Sequence, residues 1–405
     1  MIATSFTEPS LAAFARITGA VQRAQGTRVC APPSRRLSAA SALARAEAGG
    51  SWPDRGTDHV FKVGLCIPMQ GGAGIWGPSC LAAARLAEFE LNRVSGIAGR
   101  PCELVLVDAS VESPDMQANL TELVEAGEVD ALVSMCISLV RQRILNAVGG
   151  RVPLIYTCLY EGGGAAPGLF AIGETSQQQL QPSIAWLTRN CHPRRWVLIG
   201  NDYVWPRVSH AIARRCIAEQ GAEVVGEVTV PFGMTDYSEA LDQIRRARAD
   251  AVLISMVGQD AVEFNRAFRR AGLSRDVLRL SCAIEENQLL AIGAANTENL
   301  HVALGYFGAL ETDANLAFKE RYHGHFGERA PTLNSIGQSL YEGMHFLSAM
   351  LSGTDDARRA GAGLRHAPMA YPSARGAMYL GAGEALSPIY LAVAEGHLFR
   401  VIETL

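Results

Sequence analysis

Two large aromatic side chains stand in a segment whose other residues are typical of a turn. The segment Asn201–Arg207, NDYVWPR, directly follows the apolar run WVLIG. Asn, Asp and Pro are common in turns, whereas Tyr203 and Trp205 suit the wall of a closed pocket because each combines an apolar ring with one polar edge. We therefore expect Tyr203 and Trp205 to line a small-molecule site. We expect Asp202 to fix the turn by capping the helix that follows, and we also take it as a candidate ligand-binding residue.

A second cluster of reactive and aromatic side chains follows another apolar run. The stretch YTCLYEGGG contains Tyr156, Cys158 and Tyr160 within a few positions. Cys158 would act as a nucleophile only with a histidine base close by, and no histidine of the sequence is obviously placed for that role. We therefore expect these three residues to form the lining of a binding site rather than a catalytic centre.

Ser138 and Glu285 each stand where a predicted strand gives way to a helix. Serine at such a position commonly caps the helix, and an acidic residue there is favoured by the helix dipole. The alternative is that the Ser138 hydroxyl faces a polar ligand and that Glu285 accepts hydrogen bonds from an amide or amine ligand. The sequence leaves both interpretations open, and we take both residues as candidate ligand contacts.

The loop GAGIWG offers a competing, enzymatic interpretation. Gly72, Gly74 and Gly77 have the spacing of a dinucleotide-binding fingerprint, and Asp108 ends the next strand, where an acid could hold a ribose. A nucleotide-dependent oxidoreductase is therefore the alternative function. However, Asp108 lies further downstream than the roughly 20 residues of that pattern. The other interpretation is a permissive loop that brings backbone N–H groups and Trp76 to a ligand at a helix N-terminus.

Composition excludes several classes of function. The chain has 405 residues, with 48% apolar and 19% charged residues, which is typical of a globular protein of two domains. Its net charge of -4 gives no electrostatic footprint for nucleic acid. The only lysines, Lys62 and Lys319, lie outside any Gly-Lys-Ser/Thr sequence, which argues against a P-loop. The histidines lack metal-ligand spacing. We expect no cofactor, no metal and no catalytic residue.

The cysteines and the first segment of the chain predict the compartment. The nine cysteines form no C-x-x-C pair, and free cysteines are typical of a reducing compartment. Residues 1–58 are rich in Pro, Ser, Ala and Gly, and we expect a flexible extension. Their apolar runs are interrupted by Ser and Arg, unlike a secretory signal. The prediction is a cytoplasmic protein, and the alternative is a periplasmic protein whose start or signal has been misread.

From Phe61 onward, apolar runs alternate with amphipathic segments. Examples of the apolar runs are FKVGLCIP, CELVLVD, VPLIYT and AVLISMV. Near-continuous apolar strands alternating with helices predict parallel sheets covered on both faces. The number of strands suits two doubly wound lobes, and the last segment predicts short antiparallel strands. Ligands of such sheets bind beyond the carboxyl ends of the strands, which is where the candidate residues lie.

Several longer stretches, taken in order, resemble a known family. These are LAEFELNRVSGIAGRPCELVLVDA, PLIYTCLYEG, VLIGNDYVWPR and GEVTVPFGMTDYSEALDQIRRARADAVL. From about residue 59 to the end, the chain resembles the type I periplasmic-binding-protein family. The closest branch contains urea-binding and short-chain-amide-binding proteins and the amide sensor of amidase operons. Asn201 stands where the family has serine, and Cys158 and Leu159 replace a Thr or Pro-type pair.

The resemblance implies an α/β fold of two doubly wound lobes, joined by a three-strand hinge, with the ligand cleft between them. It places residues 59–172 and 301–370 in the first lobe and residues 173–300 and 371–405 in the second. Carried over by position, the ligand contacts would be Ser138, Tyr156, Cys158, Tyr160, Tyr203, Trp205 and Glu285.

The implied function is non-enzymatic binding of urea, a short-chain amide or an amino-acid-like solute. As the substrate-binding component of an ABC transporter, the protein would pass its ligand to a permease. As an amide sensor, it would bind a cytosolic regulatory protein. A homodimer is a further candidate partner arrangement. Closure of the two lobes over the ligand would couple binding to either role.

Overall fold

The computed structural model describes residues 59–162, 166–352, 368–381 and 384–405. The predicted flexible extension, residues 1–58, lies outside the described residues. The strands are β1 (Phe61–Ile67), β2 (Cys102–Asp108), β3 (Ala131–Ser134), β4 (Leu154–Tyr156), β5 (Leu169–Ala171), β6 (Arg195–Asn201), β7 (Glu223–Val230), β8 (Ala251–Ser255), β9 (Leu278–Ser281), β10 (Leu300–Leu304), β11 (Met369–Ala370), β12 (Met378–Gly381), β13 (Glu384–Leu386), β14 (Tyr390–Glu395) and β15 (Leu398–Thr404).

Helices connect most of the strands. The α-helices of the described residues are α1 (Gly77–Asn92), α2 (Met116–Glu125), α3 (Ser138–Val148), α4 (Ser176–Cys191), α5 (Val204–Glu219), α6 (Ser238–Arg246), α7 (Gly258–Arg270), α8 (Glu286–Ile292), α9 (Asp313–Phe326) and α10 (Ser335–Ser352). A short 3₁₀ helix over Gly72–Trp76 precedes α1.

Two sheets define two lobes, as predicted. The smaller sheet has the order β2-β1-β3-β4-β5, and all its pairs are parallel. The larger sheet has the order β15-β14-β10-β9-β8-β6-β7, and it is parallel from β7 to β10. The added strands β14 and β15 run antiparallel, which confirms the expectation for the end of the chain.

The central strands are buried on both faces. Every residue of β3 (ALVS) and of β8 (AVLIS) is buried. Continuous apolar strands of this kind need helices on both sides of the sheet. In the larger lobe, Trp196 and Leu198 of β6 pack with Leu180 and Leu187 of α4 in one apolar cluster. The pattern that predicted parallel sheets is therefore the pattern that fills the core.

The chain passes between the two sheets three times within the described residues. The first passage lies between β5 and α4, where Thr175 caps α4 and its N–H donates to Gln178 Oε1 at 2.7 Å. The second follows β10, after which α9 and α10 pack beside α1. The third leads from a small antiparallel sheet of order β11-β12-β13, whose strand β11 contacts α10, to β14 of the larger sheet. Three passages suit a three-strand hinge, while the division into residues 59–172 with 301–370 and 173–300 with 371–405 stays a prediction.

A glycine substitution should distinguish close helix-to-sheet packing from helix propensity. A Cβ at Gly343 of α10 would lie 2.5 Å from Thr157 Cγ2 and 2.9 Å from Val133 Cγ1. A Cβ at the exposed Gly324 of α9 would meet nothing within 4 Å. We expect Gly343→Ala to lower the free energy of unfolding by about 1–3 kcal/mol through overpacking. Gly324→Ala should raise it by up to about 1 kcal/mol through helix propensity. Denaturant unfolding of both variants tests this, and changes of the same sign would contradict it.

Candidate functional site

A cavity lies between the lobes, at the carboxyl ends of both parallel sheets. It holds about 490 Å³ of space, its mouth included. Its lining comes from the loops after the strands of both sheets and from the start of α10. The lining residues are Pro68, Ala73, Trp76, Ala109, Val111, Met135, Cys136, Ile137, Ser138, Tyr156, Cys158, Leu159, Tyr203, Trp205, Val257, Ala283 and Ile336.

Three helices begin at this cavity, because in a parallel sheet each helix starts where a strand ends. The residues that precede α3, α5 and α7 are Ile137, Tyr203 and Val257, and all three line the cavity. No side chain of these capping residues accepts a hydrogen bond from its helix. Free N–H groups and the helix dipole favour a hydrogen-bond acceptor at such a terminus. Two of the helices belong to the larger lobe and one to the smaller.

Aromatic rings form much of the wall. The ring centroids of Tyr203 and Trp205 are 6.3 Å apart, and Phe232 stacks behind Tyr203 at 5.3 Å. Trp76 is 2% exposed and Trp205 is 3% exposed. The indole Nε1 atoms of both tryptophans are buried without a hydrogen-bond partner. An indole N–H is only a donor, so each could donate to an acceptor that comes within reach.

The charges nearest the cavity are paired with one another. Arg141 donates to Glu161 through Nη1 at 3.0 Å and Nη2 at 2.6 Å. Its guanidinium also lies over the rings of Tyr156 and Tyr160, at 4.8 and 5.0 Å from their centroids. Ser138 Oγ donates to the same Glu161 carboxylate at 2.9 Å. The pair therefore holds Tyr156 and Ser138 in place and presents no free charge to the cavity.

Two thiols add weakly polar surface. Burial raises the pKa of Cys136 and of Cys158 to about 12. Both are therefore neutral thiols near pH 7, and no histidine lines the cavity among the described residues. The hydroxyl of Tyr156 donates to the Cys136 carbonyl at 2.8 Å and is thereby fixed. This arrangement lacks the base that a cysteine nucleophile needs.

Six of the nine predicted site residues lie together on the cavity wall, and three do not. The six are Trp76, Ser138, Tyr156, Cys158, Tyr203 and Trp205. Tyr160 stands behind Tyr156, with their ring centroids 6.3 Å apart. A role in ligand binding stays a prediction for all nine residues.

Asp202 and Glu285 have partners within the protein. Asp202 is exposed and forms an ion pair with Arg207. It does not cap α5, because Tyr203 is the capping residue. Glu285 is buried, and its Oε2 accepts a hydrogen bond from the Ile336 N–H at 3.2 Å. Burial, followed by the neighbouring Glu286, raises the pKa of Glu285 well above its usual range, which favours the uncharged carboxyl.

Sequence reasoning did not single out most of the apolar lining. Pro68, Ala109, Met135 and Val257 lie at strand ends that the alternation located, but nothing in their types distinguishes them from core residues. Ile336 gave no such signal, because it reaches the cavity from the start of α10.

The glycine-rich loop differs from a dinucleotide fingerprint. Residues Gly72–Trp76 form a 3₁₀ helix rather than a tight turn into α1. Asp108 accepts from Met69 N at 3.2 Å and from Gln70 Nε2 at 2.8 Å. Its carboxylate therefore braces this loop, which leaves it poorly placed to hold a ribose as the fingerprint requires.

A family model described as periplasmic binding protein matches residues 60–397. This match spans most of the chain, so the chain belongs to the periplasmic binding protein family.

Solved structures share the fold. An ABC transporter substrate-binding protein from Sphaerobacter thermophilus is 20% identical with a TM-score of 0.71, covering 86% of this chain and 98% of its own. A solute-binding protein of an ABC transporter from Rhodopseudomonas palustris, in complex with benzoate, is 18% identical with a TM-score of 0.71, covering 85% and 96%. The branched-chain amino acid transporter substrate-binding protein from Streptococcus pneumoniae, in complex with isoleucine, is 18% identical with a TM-score of 0.72, covering 86% and 99%.

These comparisons confirm the type I periplasmic binding protein fold and correct the predicted location. The cytoplasmic prediction is wrong, because the matching family is that of periplasmic binding proteins. The prediction relied on the cysteines, but six of the eight described cysteines are buried, and buried thiols commonly serve as small hydrophobic residues, which says little about the compartment. Among the described residues, no helix has the length and apolar character needed to cross a membrane.

The raised thiol pKa in the cavity predicts a distinctive pH dependence of alkylation. Only the thiolate reacts, so with a pKa of about 12 the rate at Cys158 should rise about tenfold per pH unit up to about pH 10. The exposed Cys191 serves as the control within the same chain. Mass spectrometry after brief treatment with iodoacetamide measures both sites. Faster labelling of Cys158 than of Cys191 at pH 7 would show that the cavity stabilises a thiolate, contrary to the neutral thiol that burial favours.

Proposed function

We propose that this chain is the non-enzymatic solute-binding component of an ABC transporter. We further propose that its cleft takes a small, flat solute bearing a carboxylate or carboxamide group. The observation that carries this proposal is the convergence of donors in an aromatic cavity. Three helices begin at this cavity, and the two tryptophans in its wall each have a buried indole N–H without a partner, while most of the other lining residues are apolar.

The unpartnered indole N–H groups favour a ligand that carries a hydrogen-bond acceptor. The Nε1 atoms of Trp76 and Trp205 come from opposite lobes, and each is buried without a partner. An unsatisfied buried donor costs about 1–3 kcal/mol. A ligand oxygen that accepts from either indole removes that cost. Carboxylate and carboxamide oxygens also suit the free N–H groups at the start of α3 and α5.

The aromatic and aliphatic walls of the cavity favour a ligand that is flat and largely apolar. Rings of Tyr156, Tyr203 and Trp205 face the cavity together with aliphatic groups such as Val257 and Ile336. Aromatic surfaces favour offset-stacked or edge-to-face contact with another ring. The Rhodopseudomonas palustris relatives are described in complex with benzoate and with 4-hydroxybenzoate, which supports a ligand of this shape.

The cavity is less suited to an ammonium group. Among the described residues, no acidic side chain lines it. The Glu161 carboxylate is engaged by Arg141 and Ser138, and Glu285 accepts from Ile336 N. A buried cation without a partner is strongly disfavoured. Of the solutes expected from the sequence, a carboxamide therefore fits better than a free amino acid, and urea offers little surface to the aromatic wall.

The partner of the loaded protein would be a membrane permease that receives the solute. The alternative role, a cytosolic amide sensor bound to a regulatory protein, loses its basis together with the cytoplasmic location. An oxidoreductase built on Gly72, Gly74 and Gly77 is likewise not favoured, because Asp108 braces the loop.

The proposal predicts which solutes bind. Isothermal titration calorimetry with benzoate, benzamide, benzylamine and leucine compares a carboxylate, a carboxamide, an ammonium and an amino acid. We expect benzoate or benzamide to bind and benzylamine not to bind, because the cavity offers donors and no free carboxylate. Binding of leucine alone would keep the transport role and refute the ligand class. Binding of none of the four would count against both.

A tryptophan pair tests the indole donor separately. Trp205→Phe keeps a ring and removes the N–H, so we expect the affinity for the bound solute to fall up to about tenfold, the value of one hydrogen bond. Trp196→Phe is the matched control, because Trp196 Nε1 is also buried and unpartnered but the residue packs in the core of the larger lobe. Equal effects of the two substitutions would remove the assigned role of Trp205.

A further inference from the structure

Beside the ligand cavity, the two lobes touch through the backbones of two glycines. Gly258 begins α7 of the larger lobe with φ of 55°, and Gly72 lies in the 3₁₀ helix after β1 of the smaller lobe. A Cβ at position 258 would lie 2.0 Å from the Gly72 carbonyl oxygen and 2.7 Å from its carbonyl carbon. No residue larger than glycine fits at position 258 while the lobes are in this arrangement.

A hydrogen bond from a second helix of the larger lobe, α8, reaches the same 3₁₀ helix of the smaller lobe. Asn287 in the first turn of α8 donates through Nδ2 to the Ile75 carbonyl at 2.8 Å. The neighbouring Gln288 is buried, and its Nε2 donates to the Gly258 carbonyl at 3.4 Å. Gln288 therefore ties the start of α8 to the start of α7, so that both contacts act on the 3₁₀ helix as one unit.

The two contacts involve no atom of the cavity lining. Gly72, Ile75, Gly258 and Asn287 are all absent from the lining, although Ala73, Trp76 and Val257 beside them belong to it. The contacts are made by protein atoms alone, so their strength does not depend on the solute. Because both contacts bridge the two lobes, separation of the lobes would break them.

We propose that the Gly72–Gly258 and Ile75–Asn287 contacts form a latch that holds the two lobes closed in the unliganded protein. A solute then binds to a cleft whose closed form is already populated, and less of its binding free energy is used for closure. Exchange of the solute requires the latch to open. The latch goes beyond solute binding itself, and it applies whatever solute the cleft takes.

Small-angle X-ray scattering of the full chain, dialysed extensively without added solute, tests the latch. Gly258→Ala introduces a Cβ that the closed arrangement does not accommodate, so we expect a larger radius of gyration than in the wild type. Gly272→Ala is the matched control: Gly272 also has a positive φ, of 76°, but a Cβ there meets nothing within 4 Å. The control carries the same backbone strain and should keep the wild-type radius.

A second pair of variants covers the case in which Gly258→Ala does not fold. Asn287→Ala removes the interlobe hydrogen bond and should also raise the radius of gyration. Asn190→Ala is its control, because Asn190 Nδ2 bonds only to the Trp186 carbonyl of its own helix. Larger radii for Gly258→Ala or Asn287→Ala, with unchanged controls, support the latch. A wild-type radius in every folded variant overturns it.

Discussion

The structure depends on one constraint of parallel sheets: every strand ends at the same edge, and a helix begins there. Because the two sheets turn those edges toward each other, the N-terminal ends of α3, α5 and α7 lie at one cavity. The topology therefore places backbone N–H donors near this site whatever side chains line it. The indole N–H groups of Trp76 and Trp205 add to that character. Aromatic and aliphatic side chains then set the shape and exclude water, which strengthens each remaining hydrogen bond.

Buried charged side chains form ion pairs, both beside the cavity and where the lobes join. Arg141 and Glu161 neutralise each other beside the cavity. Near the first passage between the sheets, Arg375 bonds to Glu342 at 2.8 Å and to Glu174, and all three side chains are almost fully buried. Gly305, just after β10, lacks the Cβ that would collide with Glu174 and Arg375. A buried ion costs much less when it is paired and hydrogen-bonded, so the first two passages can pack tightly without leaving a stray charge near the cleft.

Features that follow from the alternation of apolar and amphipathic runs could be predicted from the sequence. Contacts that depend on a single partner far away in the sequence could not. Alternating apolar and amphipathic runs located the strands, and the strand ends located Tyr203, Trp205 and Tyr156 on the cavity wall. Glu285 has the sequence context of a cleft carboxylate, whereas the fold engages it with the Ile336 N–H, a partner 51 positions away. Asp202 was expected to cap α5, but Tyr203 occupies that position. The cysteines misled about the compartment because burial, not redox chemistry, accounts for most of them.

The residues of the interlobe contacts lie apart from the residues of the cavity lining, and this separation determines how each can affect affinity. A solute that contacts both Trp76 and Trp205, as proposed, would bind the closed arrangement better than an open one and would therefore favour closure. The contacts of Gly72 with Gly258 and of Ile75 with Asn287 lie outside the lining and stabilise the same state without the solute. A change in these contacts would therefore shift the affinities for all solutes by the same factor, because it alters only the population of the competent state. A change in the lining alters the ratio between solutes instead. Selectivity and strength of binding can thus vary independently in this fold.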